Sequence, residues 1–132
     1  MKKTALLLLI FLGLSGKQAS THIRSYAVPD LSECVKKYRS EWGRTCSACK
    51  QEGNTYTVFL RNECTNAVDI KCAVQEVEKR WRTFTRLNLA PRDSMSAYAC
   101  NSTGKYLYWV RKAGDKTITF LSDEEINTAY GK

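Results

Sequence analysis

Cys46-Ser47-Ala48-Cys49 is the segment of this chain whose spacing most directly suggests chemistry. A Cys-x-x-Cys pair can be a redox dithiol when a helix start lowers the pKa of one thiol. It can also be half of a tetrahedral zinc site. The redox motif sits after a strand in a βαβ unit, and the pattern here contains none; no second Cys-x-x-Cys or His pair completes a zinc site. The remaining reading is two structural half-cystines. With Cys34, Cys64, Cys72 and Cys100 the chain has six cysteines, an even number that predicts three disulfides in an exported domain. Each would contribute about 2–4 kcal/mol. Cys64 and Cys100 both border predicted turns, so the reading pairs them with each other. Cys72, inside a strand, is assigned to one of Cys34, Cys46 or Cys49, which would staple the N-terminal region to the sheet.

Acid–base chemistry has few candidates. His22 is the only imidazole and lies in a leader without periodicity, so Ser94, Ser96 and Ser122 have no evident activator. Two carboxylate clusters remain, Glu76/Glu78 and Asp123/Glu124/Glu125. A small carboxylate-based hydrolase would need two such groups about 5–10 Å apart in a cleft, whereas solvated charge is their ordinary role. No loop alternates Asp and Asn with a closing Glu as calcium binding requires. No catalytic residue, metal or cofactor is assigned.

The stronger signal is basic and aromatic. Lys79-Arg80-Trp81-Arg82-Thr83-Phe84-Thr85-Arg86 puts Arg80, Arg82 and Arg86 on one side of a strand, with Trp81 on the other. Lys105-Tyr106-Leu107-Tyr108-Trp109-Val110-Arg111-Lys112 groups Lys105, Trp109 and Arg111, with Tyr106 and Tyr108 opposite. Guanidinium forks can hold anionic groups while rings stack on sugars. Arg80, Arg82, Arg86, Lys105, Trp109 and Arg111 are therefore the candidate ligand-binding set. The competing reading has the rings filling the core and the charges facing water.

The elements that would position these residues follow from periodicity. Asp30 with Glu33 three residues on forms a capping box, and Leu31, Cys34, Val35, Tyr38 and Trp42 recur at helical spacing; this predicts a short amphipathic helix over 31–42. Six segments rich in β-branched and aromatic residues follow, at 55–61, 68–75, 80–87, 95–100, 105–112 and 116–121, separated by short connections. Short connections require antiparallel pairing. Hairpins are expected at 76–79, 101–104 and 113–115. Val68, Ile70, Cys72 and Val74 form a buried face, with Asp69, Lys71 and Gln75 opposite. Ser122 with Glu125 offers a last helical turn. The fold class is mainly β: a small, disulfide-linked antiparallel sandwich or partly open barrel of about six strands with a short N-terminal helix.

Val58 to Val68, around Asn62, Cys64 and Val68, resembles the opening strand of Cys-tethered β-sandwiches such as thaumatin-like proteins, and Leu89-Ala90-Pro91-Arg92-Asp93-Ser94 resembles the Pro-containing turn of secreted sandwich modules. The likeness covers under a fifth of the chain and implies a fold-level analogy only; the chain is too short and too poor in cysteine for a thaumatin-like protein.

The length of 132 residues supports one domain. Met1-Lys2-Lys3 followed by the apolar run to Leu14 reads as a bacterial secretory signal over residues 1–17, with cleavage between 15 and 20. Residues 18–29 are a flexible leader and 30–132 the β domain. Loss of the first 17 residues leaves 18 basic and 13 acidic residues, so the net charge falls from +8 to +5. Asn101-Ser102-Thr103 matches the N-glycosylation pattern but reads as a polar turn. The expectation is a secreted or periplasmic, non-enzymatic module that binds an anionic envelope polymer or a protein through the basic/aromatic strands. A structural or protective domain is the alternative, and the small hydrolase a further one. Nucleic acid is not expected as a partner, nor stable membrane insertion once the signal is removed.

Overall fold

Alternation in the sequence builds two sheets whose apolar sides meet. The computed structural model describes residues 30–43, 48–49 and 54–132. The strands are β1 (Val35–Trp42), β2 (Tyr56–Asn62), β3 (Val68–Glu76), β4 (Trp81–Leu89), β5 (Ser94–Ala99) and β6 (Ser102–Lys112), followed by helix α1 (Asp123–Tyr130). They form two three-stranded antiparallel sheets, ordered β1-β2-β5 and β4-β3-β6. The expected signal peptide and leader, with His22, lie outside the described residues, as does Cys46. Among the described residues no helix is long and apolar enough to cross a membrane.

The inter-sheet core is made by Val35, Val58, Leu60, Val68, Ile70, Cys72, Val74, Leu89, Met95, Ala97 and Ala99. Burial of each large aliphatic side chain stabilises by roughly 1.5–3 kcal/mol. The predicted inner face of β3 is thus realised, and the 76–79 turn closes the β3–β4 hairpin. The opposite face of β3 is not open to water, however. Asp69, Lys71, Ala73 and Gln75 are all buried, because residues 113–130 fold back over them. Ile126 of α1 packs on Ala73 and Trp81, with Leu107, Trp109 and Leu121 around it.

The buried charges on that face are paired, as burial requires. Lys71 Nζ donates to Leu121 O at 2.8 Å and to Asp123 Oδ1 at 2.7 Å. Asp69 accepts from the Asn88 and Gly114 amides and from Arg111 Nε. The Ser122–Glu125 capping box is formed, so the expected last turn extends to a helix of 8 residues.

Four expectations are corrected. The helix over 31–42 is only a 3-10 turn, Leu31–Cys34, capped by Asp30, and residues from Val35 form a strand. A bulge between Lys37 and Arg39 shifts the alternation, and a shifted period of two imitates a helical one. Residues 116–121 are not a strand: Thr117 donates through N–H and Oγ1 to Asp115 Oδ1, which turns the chain off the ladder. The 101–104 connection is not a hairpin, since β5 and β6 belong to different sheets.

The fourth correction concerns the cysteines. The bridges are Cys34–Cys64 and Cys49–Cys100, with Cα–Cα distances of 4.9 and 5.5 Å, and Cys72 is a free, buried thiol. Neither the Cys64–Cys100 pairing nor a bridge to Cys72 is formed. The register Val35↔Asn62 brings Cys34 beside Cys64, whereas Cys72 points mid-strand into an apolar core and packs as a small hydrophobe.

Candidate functional site

Cross-strand partners share one side of a sheet, so the register locates Arg82, Arg86, Trp109 and Arg111 of the expected binding set. Arg82 and Arg86 lie opposite Val74 and Ile70, on the inter-sheet side of β4. Trp109 and Arg111 lie opposite Lys71 and Asp69, on the outer side of β6. The two halves of the expected site therefore occupy opposite faces, separated by β3. The individual contacts agree. Arg80 pairs with Glu76 at 3.0 Å, and the Arg82 guanidinium lies 4.9 Å over the Tyr98 ring. Arg111 pairs with Asp69 at 2.9 Å, donates through Nη1 to Ile118 O, and stacks on Phe120. Trp109 packs beside Tyr130 of α1. Arg86 and Lys105 are exposed. Arg111 and Trp109 thus hold the C-terminal segment in place.

A basic/aromatic surface does exist, on the other sheet. On the outer side of β1 and β2 the Arg39 guanidinium lies 4.0 Å over the Phe59 ring, and that of Arg61 lies 4.2 Å over Tyr38. The two rings are 6.1 Å apart, and Tyr38 Oη is 3.3 Å from Ser94 Oγ of β5. Phe59 is only 8% exposed, and Arg39 and Tyr38 are among the side chains against it. Each cation–π contact is worth about 0.5–1 kcal/mol at such a site and fixes a guanidinium against a rigid plane.

Lys36 stands directly opposite Arg61 in the β1–β2 register. Like charges in direct cross-strand opposition destabilise a sheet. Arg61 also lines, with Glu63 and Arg92, a depression of about 360 Å³. Glu41 partly balances the group by pairing with Arg39 at 3.3 Å. The sequence signal for this surface was Lys36, Tyr38 and Arg39 themselves; a helical reading scattered them around a cylinder, and the strand collects them.

The carboxylate clusters are used by the fold. Asp123 is held below the usual carboxylate range by hydrogen bonds from Lys71 and then Thr83. Glu125 is lowered by the Ser122 amide that it caps, and Glu76 pairs with Arg80. Ser122 is the α1 cap. Burial pushes the Cys72 thiol up to about 12, which suppresses the nucleophilic thiolate. No group of acidic, Cys or His side chains among the described residues could hold a metal ion. Comparison with protein-family models, curated proteins and solved structures finds no match.

Proposed function

We propose that the protein is an exported, non-enzymatic binding module that holds an anionic polysaccharide on the outer face of the β1-β2-β5 sheet. The observation that carries this reading is the Lys36–Arg61 opposition, flanked by Arg39 and Arg61 stacked on Phe59 and Tyr38. A cationic pair with no ion-pair partner among the described residues costs stability that an anionic ligand returns. Same-side residues along a strand are about 6–7 Å apart, close to the spacing of charged groups along an acidic polymer. Export is supported by the Met1-Lys2-Lys3 start with its apolar run and by two disulfides, which persist in oxidising compartments.

The test is retention on immobilised heparin at low and high ionic strength. Lys36→Gln/Arg39→Gln/Arg61→Gln should elute at clearly lower salt than the parent, because exposed charges act through screened attraction. Arg80→Gln/Arg82→Gln/Arg86→Gln should shift elution less. A larger loss in the second variant would return the site to β4. A parent that is not retained would favour the structural module.

A further inference from the structure

We propose that the protein has a second ligand site, for an acidic monosaccharide unit, where the start of β6 meets the C-terminal end of α1. It lies toward the outer side of the β4-β3-β6 sheet and does not rest on the reading of the β1–β2 face. A depression of about 460 Å³ is lined there by Gln75, Trp81, Lys105, Tyr106, Tyr130 and Lys132, a size within the ordinary range of small-molecule sites.

Two of the lining side chains are more than nine-tenths buried, and one of them carries a buried N–H donor without a partner. Trp81 is 7% exposed, and its Nε1 is buried with no acceptor. Gln75 is 7% exposed as well. Its Oε1 accepts from Thr103 Oγ1 at 2.9 Å and its backbone O from Ser102 Oγ at 2.7 Å. A buried donor left unmatched costs about 1–3 kcal/mol, so the Trp81 indole N–H beside the depression marks a place where an acceptor oxygen is missing. Lys105 and Lys132 add two ammonium groups, neither in an ion pair among the described residues, and no acidic side chain lines the site.

The lining is thus rich in donors and cationic, which selects a ligand with several acceptor oxygens and a negative charge. The rings narrow the class. Tyr130 stands edge-on to Trp81, with centroids 6.4 Å apart and planes at 74°, and is tilted 54° to Trp109. These planes leave no parallel slot for a nucleobase. The Tyr130 ring, 41% exposed, offers one open face on which the C–H side of a pyranose can lie. A small displacement of Tyr130 in the last turn of α1 would admit a sugar hydroxyl to Trp81 Nε1, with the acidic group between Lys105 and Lys132.

The experiment follows the indole N–H resonances of the oxidised protein in ¹⁵N–¹H spectra, with Trp42→Phe and Trp109→Phe identifying the Trp81 signal by elimination. Sodium glucuronate should move that signal saturably, with a dissociation constant on the order of 1 mM. Glucose, which has the ring without the charge, and acetate, which has the charge without the ring, should each bind at least about fivefold more weakly, roughly 1 kcal/mol. Lys105→Gln/Lys132→Gln, both at exposed positions, should weaken glucuronate by a similar factor. A Trp81 signal unmoved by glucuronate, equal binding of acetate, or an unchanged affinity in the double lysine variant would each overturn the proposal. The Lys36→Gln/Arg39→Gln/Arg61→Gln variant on heparin reads the opposite face, so either site can fail alone.

Discussion

Asn127 closes a two-point bond onto the backbone of Trp81: its Oδ1 accepts from the Trp81 amide at 2.7 Å, and its Nδ2 donates to the Trp81 carbonyl at 3.2 Å. One side-chain amide thereby completes the open edge of β4, as a neighbouring strand would, and fixes α1 against the sheet. Edge groups so satisfied are withheld from pairing with another chain. Asn127→Ala should lower stability by about 1–3 kcal/mol, because two backbone groups lose their partner. Hydrogen exchange at the Trp81 amide should accelerate in step; unchanged protection there would show that the bond is not maintained in solution.

Acid should loosen the same region. The Asp123 carboxyl is lowered by its bonds from Lys71 and Thr83. At Asp69 burial acts upward, but the Asn88 amide, Arg111 and the Gly114 amide outweigh it and the carboxyl is lowered too. A carboxyl whose folded pKa lies below its unfolded value stabilises fully above the unfolded value, about 3.9, and the contribution is lost as pH falls through the folded one. Urea midpoints should therefore be flat from neutral pH to about 5 and fall below about 4. Asp123→Asn should make that fall shallower, which a midpoint series against pH would read.

Cys72 should be chemically silent until the protein unfolds. Its thiol is fully buried and raised to about 12. Iodoacetamide should leave Cys72 unlabelled in the native protein and label it in denaturant without reductant, as peptide mapping would reveal. Labelling under native conditions would mean that the sheets separate readily. Cys72→Ser, which puts a hydroxyl among Ile70, Val58 and Leu60, should cost about 1–3 kcal/mol.

Arg111 should matter for folding and not for polyanion binding. Its removal leaves Asp69, 2% exposed, without its charged partner. Arg111→Ala should destabilise by about 3 kcal/mol, the low end for a broken buried pair, because the Asn88 and Gly114 amides still donate. Thermal melting checks the stability and heparin elution the binding. A variant that melts like the parent but elutes at much lower salt would restore Arg111 to the binding surface.

Gly104 has φ of +82°, and a Cβ there would stand 2.7 Å from Trp42 Cζ2. Gly104→Ala should cost about 1–2 kcal/mol from the left-handed backbone alone. It should also push the Trp42 ring outward, detectable as a changed indole N–H resonance for Trp42 with little effect at Trp109.

Much of the fold is local and could be read from residues in order. The alternation of Val68, Ile70, Cys72 and Val74 defined the inner face of β3, and Ser122 with Glu125 defined the start of α1, because side-chain direction in a strand and capping at a helix end depend on neighbours a few positions away. β2, β4, β5 and β6 were legible in the same manner. The sheet that each strand joins depends on contacts between distant parts of the chain. So do the cysteine that reaches Cys64 and the cover over Asp69, Lys71 and Gln75. Alternation states that two residues share a side without stating what lies against it. For the same reason Arg82 and Arg111 each looked exposed, and only the register through β3 put them on opposite faces. The bulge at Lys37/Arg39 misled most directly: one extra residue made a strand imitate a helical period and dispersed Lys36, Tyr38 and Arg39. Pairing with β2 restored the alternation and brought those residues beside Phe59 and Arg61, a juxtaposition that only the tertiary structure decided.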